Sequence, residues 1–228
     1  MNEPHGKNPE TASGDAAPKA VVERLSLYLR ELQKLNKDGA DTTSSTQLGR
    51  LLGLSDAQVR KDLANFGQFG YPGIGYRCDE LIPKIKDILG TNHRWNVALV
   101  GIGNLGRALL GYSGFENQGF KIVAAFDQDP SKVGQMIEEV EVRPIEQLEA
   151  EVQRLGIRMA IIAVPRTEAQ AIADRLVAAG VVGILNFAPV RLSLPTDVRG
   201  AGVDLAIEME QLAFAVVNRS GCQNRENA

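Results

Sequence analysis

Hydrophobic side chains recur at helical spacing in the first part of the chain, and this recurrence predicts a long amphipathic helix over residues 19–36. They fall three or four positions apart, as on one face of an α-helix. The positions are Val22, Leu25, Leu29, Leu32 and Leu35. Asp38 and Gly39 follow and end the pattern.

Two shorter helices are predicted next, joined by a tight turn. Ser44 or Ser45 suits the N-cap of a first helix over residues 47–52, which Gly53 closes. A second helix opens at Ser55 and runs to residue 66. Two short helices joined in this way form a helix-turn-helix.

The second of these helices separates apolar from polar side chains. Val59, Leu63 and Phe66 are expected to face inward, because they lie at positions i, i+4 and i+7. The outward side chains are Gln58, Arg60, Lys61 and Asn65. Arg and Lys can donate to guanine and to phosphates, and Gln and Asn can pair with adenine. From this pattern alone, a solvated helix face explains the residues as well as DNA binding does.

A loop rich in glycine and aromatic residues follows, over residues 67–76. It predicts two short strands around a tight turn, a β-hairpin wing that can lie on the DNA backbone or enter the minor groove. A plain turn is the alternative. With a further helix over residues 81–89, these elements predict a winged-helix domain over residues 19–90. The candidate DNA-contacting residues are Ser44, Ser45, Gln47, Gln58, Arg60, Lys61, Tyr71, Gly73, Gly75 and Tyr76.

The second half of the chain carries a GxGxxG sequence in the setting that its chemistry requires. A strand over residues 95–100 leads into Gly101-Ile-Gly-Asn-Leu-Gly106, and a helical run over 107–110 leads out. A second strand, over 121–126, ends on Asp127, about 20 residues after the last glycine. This order predicts a dinucleotide-binding βαβ unit.

Each glycine of this loop has a separate expected role. Gly101 permits the tight turn, Gly103 lets the backbone approach the pyrophosphate, and Gly106 lets the helix pack close to the strand. The free N–H groups of the helix N-terminus, at Asn104 and Leu105, would bind the phosphates.

Asp127 is placed to accept hydrogen bonds from the ribose hydroxyls of the nucleotide. Its negative charge would repel a 2′-phosphate, which favours NAD(H) over NADP(H). A simple cap at the end of the strand is the alternative role for this carboxylate.

Further α/β units extend the predicted parallel sheet. They are a helix over 145–155, a strand over 159–164, a helix over 167–179 capped by Thr167, and a strand over 182–186. Because ligands of open α/β sheets bind at the carboxyl ends of the strands, the residues there are candidates to line the nicotinamide side of the pocket. They are Val164, Pro165, Asn186 and Pro189. For Arg166 an ordinary strand-to-helix turn is an equal alternative.

The last helical pattern, over residues 205–217, is apolar over much of its surface. Its apolar residues are Leu205, Ile207, Met209, Leu212, Phe214, Ala215 and Val216. Such a helix must be buried, either against its own sheet or on a second subunit.

Composition bounds the class of protein. The chain has 228 residues, of which 44% are hydrophobic and 23% charged, as in a soluble globular protein. The net charge of −3 neither supports nor excludes a nucleic-acid partner. No apolar run reaches the roughly 20 residues of a membrane span. The first residues lack the apolar core of a signal peptide. We therefore expect a cytoplasmic protein, with a disordered leader over residues 1–18 and no membrane partner.

The cysteines and histidines do not suggest a site. Cys78 and Cys222 lie far apart without close ligand partners, so we expect reduced thiols and no metal. His5 and His93 lie in polar stretches, and neither is placed to act as a catalytic base. We expect no catalytic residue.

In their order and spacing, these segments resemble the Rex family of bacterial redox-sensing transcriptional repressors. The most specific segments are residues 24–30, 43–48, 58–63, 73–76, 101–106, 126–130 and 183–189. The resemblance implies an α/β protein with an N-terminal winged helix-turn-helix and a Rossmann-like parallel-sheet domain over 91–200. A dimerisation helix over 201–219, swapped between subunits, and a tail over 220–228 would follow.

The resemblance also implies a function. A homodimer would bind palindromic operator DNA when NADH is scarce and release it when NADH rises. Asp204 would lie near the pocket at the dimer interface, with Arg30 and Tyr112 as its alternative partners in the two states. Family members often carry an aromatic residue just after this aspartate, where this chain has Leu205.

Three other functions remain as alternatives. An NAD-dependent dehydrogenase needs an acid/base group near the nicotinamide, and no His, Lys or Tyr is placed for that role after the Rossmann core. A CoA-binding module uses similar βαβ units, but Asp127 suits a free ribose better than the 3′-phosphate of CoA. A Rossmann domain that is only a dimerisation scaffold would give no response to nucleotides.

Overall fold

The computed structural model describes residues 18–223, with side chains for residues 18–218. The chain divides into two compact units, residues 1–92 and residues 93–228. The expected leader, apart from Pro18, and residues 224–228 of the expected tail lie outside the described residues, as do His5 and the side chain of Cys222.

The first unit is mainly helical. Its elements are α1 (Lys19–Lys37), β1 (Thr42–Thr43), α2 (Ser45–Leu52), α3 (Asp56–Ala64), β2 (Tyr76–Arg77) and α4 (Cys78–Leu89). Helix α1 forms where the apolar spacing predicted it, but the buried face differs by one position at its start. Val21 is buried with Leu25, whereas the predicted Val22 is 39% exposed. Tyr28, at i+7 from Val21, continues this face into the core.

The predicted helix-turn-helix is confirmed, with its ends set by local capping. The Ser44 hydroxyl accepts the Gln47 N–H at 3.0 Å, so Ser44 and not Ser45 caps α2. Gly53 ends α2 in the left-handed region, with φ 67°. Ser55 caps α3 by accepting the Gln58 N–H at 3.1 Å.

The predicted two-stranded hairpin over residues 67–76 is wrong in its pairing. Strand β2 pairs antiparallel with β1, and within the loop only an isolated bridge joins Tyr71 to Gly75. Gly75 has φ 92°, and a Cβ there would lie 2.3 Å from the Thr43 carbonyl oxygen. The close approach of Gly75 to β1, together with burial of the Tyr76 ring, draws the chain onto β1.

The second unit is a layered α/β structure. Its strands are β3 (Trp95–Val100), β4 (Phe120–Asp127), β5 (Met136–Ile137), β6 (Val140–Pro144), β7 (Met159–Ile162), β8 (Gly183–Asn186) and β9 (Arg199–Gly202). Its helices are α5 (Asn104–Leu110), α6 (Ser113–Asn117), α7 (Leu148–Arg154), α8 (Arg166–Ala178) and α9 (Leu205–Gln223), and a 3-10 turn (Ile145–Gln147) precedes α7.

The seven strands form one sheet in the order β5-β6-β4-β3-β7-β8-β9. All neighbours are parallel except β5 and β6, which form an antiparallel hairpin. From β6 to β9 this is the 3-2-1-4-5-6 order of dinucleotide-binding folds. The expected Rossmann-like parallel sheet is confirmed, and its strand order reverses between β3 and β7.

Some elements of this unit were not predicted, and one cap was predicted wrongly. The sequence analysis did not identify β5, β6, α6 or β9. Helix α8 begins at Arg166 with Pro165 at its N-cap position, so Thr167 is inside the helix and does not cap it. The pyrrolidine ring fixes the φ of Pro165 itself, which is −56° here.

Helices cover the two faces of the sheet unequally. Helices α7 and α8 pack on one face over a core that includes Phe126, Leu148 and Leu176. Helices α5 and α6 pack on the other face, through residues such as Leu109 and Phe115. On that second face an apolar cavity of about 360 Å³ is open beside β7, β8 and β9.

Candidate functional site

The glycine loop after β3 has the close contacts that its sequence predicts. Gly101 has φ 95°, and a Cβ there would lie 2.6 Å from the Ala163 carbonyl oxygen, so a side chain is excluded. A Cβ at Gly106 would lie 2.0 Å from the Gly101 carbonyl oxygen. The start of helix α5 therefore rests directly on the loop.

Gly103 differs from its two neighbours in the motif. A Cβ added there would meet no protein atom within 4 Å, and its φ of −80° is open to any residue. Gly103, Asn104 and Leu105 are exposed and line a pocket. The first N–H groups of a helix have no partner within the helix, so the loop can present Asn104 and Leu105 amides to an anion. The backbone thus leaves a space that a ligand could fill.

Asp127 closes the loop from the neighbouring strand. Its carboxylate is buried and accepts the Ile102 N–H at 2.7 Å on Oδ2 and the Asp129 N–H at 2.8 Å on Oδ1. Burial by itself raises the pKa of this carboxyl, but the N–H groups of Asp129 and Ile102 and the Lys132 ammonium outweigh it and hold the pKa below its ordinary value. Asp127 is therefore ionised at neutral pH.

Lys132 is a residue of this pocket that the sequence analysis missed. Its ammonium lies 3.0 Å from Asp127 Oδ2 and 3.7 Å from Asp129 Oδ2. A turn brings it back, because the Asp129 carboxylate accepts the Ser131 N–H at 3.0 Å and its hydroxyl at 2.7 Å. The Asp-Pro-Ser-Lys sequence gave a signal for this turn, but not for where the lysine would point.

The pocket has a volume of about 540 Å³ and lies at the carboxyl ends of three strands. The ends of β3, β4 and β7 contribute Gly101, Asp127 and Val164, and Pro165 also lines it. These strands meet where the strand order reverses, which is where open α/β sheets bind their ligands.

Asn186 and Pro189 line a different cavity, of about 660 Å³, together with Asp204 and Ile207. The Asn186 side chain is buried and holds its own loop: Nδ2 donates to the Ala188 and Val190 carbonyls at 3.2 and 2.8 Å, and Oδ1 accepts the Ala188 N–H at 3.0 Å. The structure does not place these two residues in the pocket of the glycine loop.

Two of the side chains predicted to point outward from α3, Arg60 and Lys61, are exposed. Arg60 donates to Asp56 at 2.7 Å and to the Ser45 hydroxyl at 3.1 Å. Lys61 is exposed and forms no ion pair within the described residues. Gln58 is half-buried and donates to Asp62, which the sequence analysis did not single out.

At the start of α2, Gln47 accepts a hydrogen bond from the Thr43 hydroxyl at 3.2 Å. In the glycine-rich loop, Tyr71 and Gly73 are exposed, and the Tyr71 hydroxyl donates to Glu80 at 3.0 Å. Tyr76 is only 8% exposed and packs in the core of the unit. The prediction that its side chain contacts DNA is therefore wrong.

The three residues implied as allosteric lie as follows. Arg30 is exposed on α1, in the first unit. Tyr112 is exposed in the second unit and packs edge-on against Phe115, with ring centroids 5.1 Å apart. Asp204 accepts the Ala206 N–H at 2.9 Å and so caps the start of α9.

Within residues 18–218 no group of three or more His, Cys, Asp or Glu side chains could hold a metal ion. Cys78 is buried, and this burial raises the pKa of its thiol. No helix in the described part of the chain is long and apolar enough to cross a membrane.

Comparison with known proteins covers both units. Residues 16–64 match the family described as putative DNA-binding protein N-terminus, and residues 92–190 match the family described as CoA binding domain. The redox-sensing transcriptional repressor Rex of Carboxydothermus hydrogenoformans is 48% identical over 89% of this chain and 98% of its own length. That of Syntrophobacter fumaroxidans is 44% identical over 86% of this chain and 94% of its own length.

Solved structures agree with these relatives. The crystal structure of RSP in complex with β-NAD⁺ and operator DNA is 35% identical, with a TM-score of 0.86 over 94% of this chain and 99% of that one. The structure of RSP in complex with β-NADH is 34% identical, with a TM-score of 0.83 over 92% of this chain and 99% of that one. RSP is described as a Rex-family repressor. On this likeness, the chain belongs to the Rex family of redox-sensing transcriptional repressors.

Proposed function

We propose that this protein is a transcriptional repressor that binds operator DNA through its first unit and senses the NADH/NAD⁺ ratio through its second. The observation that carries the proposal is the pocket at Gly101, Gly103 and Asp127, on the same chain as a capped helix-turn-helix. Relatives named as redox-sensing repressors support it.

The residues of the pocket fit NAD(H). The open space at Gly103 admits a pyrophosphate against the backbone, and the Asn104 and Leu105 amides would donate to it. Asp127 Oδ1 accepts one N–H, from Asp129, which leaves it capacity for a ribose hydroxyl. Val164 and Pro165 would border the nucleotide on the β7 side. The RSP complexes with β-NAD⁺ and β-NADH support this ligand class.

Asn186 and Pro189 have a different role in this proposal. Because the Asn186 side chain is satisfied by its own loop, it would shape the backbone after β8 and would not contact the nicotinamide directly. Pro189 borders the neighbouring cavity, where the start of α9 lies.

DNA would be read by α3 in the major groove, with the glycine-rich loop on the backbone or in the minor groove. Lys61 and Arg60 are exposed on α3 and supply positive charge. The start of α2 would lie at the DNA backbone, because the first helix of a helix-turn-helix crosses it. The residues there are Ser44, Ser45 and Gln47. Tyr71 and Gly73 form the exposed part of the loop, and Gly75 is half-buried beside β1.

The surface of the second unit supports a homodimer. Large apolar side chains on α9 are exposed, among them Phe214 at 73% and Leu212 at 58%. The sheet face beside β7, β8 and β9 is also apolar and uncovered. Both surfaces would be buried if α9 of one subunit docked on its partner, which is the swap that the family resemblance implies. Two-fold symmetry would then match a palindromic operator.

The response to NADH must arise where NADH and NAD⁺ differ, because a ligand shifts a conformational equilibrium only through differential affinity. The two differ at the nicotinamide, which carries a positive charge only in NAD⁺. Asp204, with Arg30 and Tyr112 as alternative partners, is the set that we propose for this discrimination, on the family resemblance alone.

CoA is a second candidate ligand, because the family matched by residues 92–190 is described by that name. A dehydrogenase is less well supported, since the relatives carry the name of repressors. CoA carries a 3′-phosphate at the ribose, where Asp127 has a negative charge, so we favour NAD(H).

The proposal is tested by fluorescence anisotropy on a palindromic duplex selected from a random library. Micromolar NADH should release the DNA, whereas NAD⁺ and CoA should not. Gly103→Val should keep DNA binding and lose the NADH response, because a Cβ at this position meets no protein atom within 4 Å and the side chain would occupy space in the pocket. Specific DNA binding that ignores all three ligands would overturn the sensor function, and absence of specific binding would overturn the repressor.

A further inference from the structure

A buried aspartate lies in the last turn of α3, the helix that the proposed function places in the major groove. Asp62 is 1% exposed. Its carboxylate accepts four hydrogen bonds: Arg24 Nε at 2.5 Å and Tyr28 Oη at 2.8 Å on Oδ2, and Arg24 Nη2 at 2.8 Å and Gln58 Nε2 at 2.7 Å on Oδ1. Four donors match the roughly four lone-pair positions of a carboxylate, so Asp62 is saturated.

The Gln58 side chain does not bond to the N-terminus of its own helix, although the sequence around it would allow this. Ser55-Asp-Ala-Gln58 has the form of a capping box, in which the glutamine side chain reaches back to the N-cap backbone. Only the forward half forms, from the Gln58 N–H to the Ser55 hydroxyl. The Gln58 side-chain NH₂ turns toward Asp62 instead.

The network leaves one orientation for this amide. An ionised carboxylate only accepts hydrogen bonds, so a rotated amide would place its carbonyl oxygen against Asp62 Oδ1 and lose the bond. Burial by itself raises the pKa of Asp62, but the hydrogen bonds from Arg24, Tyr28 and Gln58 hold it below its ordinary value, so the carboxylate stays charged. Within residues 18–218 the Gln58 carbonyl oxygen accepts no hydrogen bond.

We propose that Asp62 is a positioning residue for base recognition: by accepting one N–H of the Gln58 amide, it fixes the carbonyl oxygen on the side that faces the DNA. Gln58 then acts as a hydrogen-bond acceptor and selects a base with an amino donor in the major groove, adenine N6 or cytosine N4. A glutamine with a free amide could also rotate its NH₂ toward the acceptors of guanine or thymine. The inference rests on the proposed function only in that α3 enters the major groove, where residues near the helix N-terminus contact the bases.

The test combines base analogues with a matched variant. Duplexes that bind the wild-type protein and Gln58→Ala are selected from a random library, and the position whose preference disappears in the variant identifies the contacted base. We expect adenine or cytosine there. At an adenine, purine, which lacks the N6 amino group, should weaken wild-type binding about threefold to tenfold, as expected for one hydrogen bond. At a cytosine, the analogue without the N4 amino group takes the place of purine.

Gln58→Ala should bind all of these duplexes equally, since it has no acceptor. Asp62→Asn, which frees the amide to rotate, should broaden the preference to guanine or thymine at the same position. Because this variant can lose stability, the analogue series on the wild-type protein decides the question by itself.

Loss of the base amino group without loss of affinity would overturn the inference, because it would show that the Gln58 carbonyl oxygen does not contact that group. Guanine or thymine at the Gln58-dependent position, or no such position, would overturn it as well. In those cases NADH would still release the selected DNA and the proposed function would stand. Failure of the wild-type protein to select any duplex would overturn both.

Discussion

Arg24 on α1 and Asp62 on α3 form a two-point ion pair, with Nε to Oδ2 at 2.5 Å and Nη2 to Oδ1 at 2.8 Å. The pair joins α1 to α3, the candidate recognition helix. Asp62 is 1% exposed and Arg24 is 23% exposed at the side chain, so the carboxylate depends on its partner for compensation of its charge.

Replacing Arg24 should therefore destabilise the first unit strongly. Arg24→Met leaves the Asp62 charge buried, and we expect a loss of about 3 kcal/mol in the free energy of unfolding, measured by urea denaturation. The exposed pair of Lys19 and Glu23 on the same helix supplies the control. Lys19→Met should cost less than about 1 kcal/mol. Similar losses in the two variants would show that the buried ion pair stabilises the fold no more than the exposed one.

Acid should remove the contribution of Asp62. The folded pKa of this carboxyl is lower than its unfolded value, because its hydrogen bonds outweigh burial. A depressed pKa adds stability above the unfolded pKa, about 4, and this stability is lost as the pH falls through the folded value. The difference in unfolding free energy between wild type and Asp62→Asn should be large near pH 7 and shrink below about pH 4. A difference that stays constant down to about pH 2 would contradict this.

Alanine at Gly106 should destabilise the protein, whereas alanine at Gly103 should not. Gly106→Ala places a Cβ 2.0 Å from the Gly101 carbonyl oxygen, so we expect a loss of about 1–3 kcal/mol in stability together with loss of NADH binding. Gly103→Ala meets no protein atom, so it should keep its thermal stability and weaken only NADH binding. Calorimetric unfolding and NADH titration of both variants separate the two effects. Equal stability of the two would contradict the role of Gly106.

Lys132 should set the tolerance of the pocket for a 2′-phosphate. Among the described residues that line the pocket it is the single cation, and its ammonium lies 3.0 Å from Asp127. Lys132→Ala should weaken NADPH binding more than NADH binding, because NADPH adds negative charge beside Asp127. Asp127→Asn should shift the ratio the other way. Fluorescence titration with both nucleotides measures it, and an unchanged ratio in Lys132→Ala would place the lysine outside the ribose site.

Helix α9 should control the oligomeric state. Phe214 is 73% exposed, and Phe214→Asp should give a monomer by sedimentation velocity, with operator affinity reduced because two half-sites are no longer bound together. Gln211→Glu, also exposed on this helix, adds the same charge without removing apolar surface and should remain a dimer. A dimer in Phe214→Asp would exclude this face of α9 from the interface.

Much of the fold could be predicted from the sequence because strong local patterns specify it. The strand over 95–100 is apolar without interruption at its end, and the glycines at 101, 103 and 106 allow few backbone arrangements. Capping residues likewise fixed the ends of α2 and α3. In each case the residues that determine the structure are neighbours in the chain.

What could not be predicted depends on distant partners or on weak patterns. Strand β9 contains two glycines and only exposed residues, so no alternation marks it. The pairing of β2 with β1 depends on the approach of Gly75 to Thr43. Asp62 looked like one more polar residue of α3, because its partner Arg24 is 38 residues away. Lys132 was missed because its direction depends on a turn.

The junction between β9 and α9 has a mechanical consequence. Only Val203 and Asp204 separate the strand from the helix, and Asp204 is held to the first turn of α9 by its hydrogen bond to the Ala206 N–H. The 19 residues of α9 form a rod of about 28 Å. A tilt of about 10° at its base would move its far end by about 5 Å. A small shift at the edge of the sheet would therefore displace the far end of α9 by nearly the rise of one helical turn.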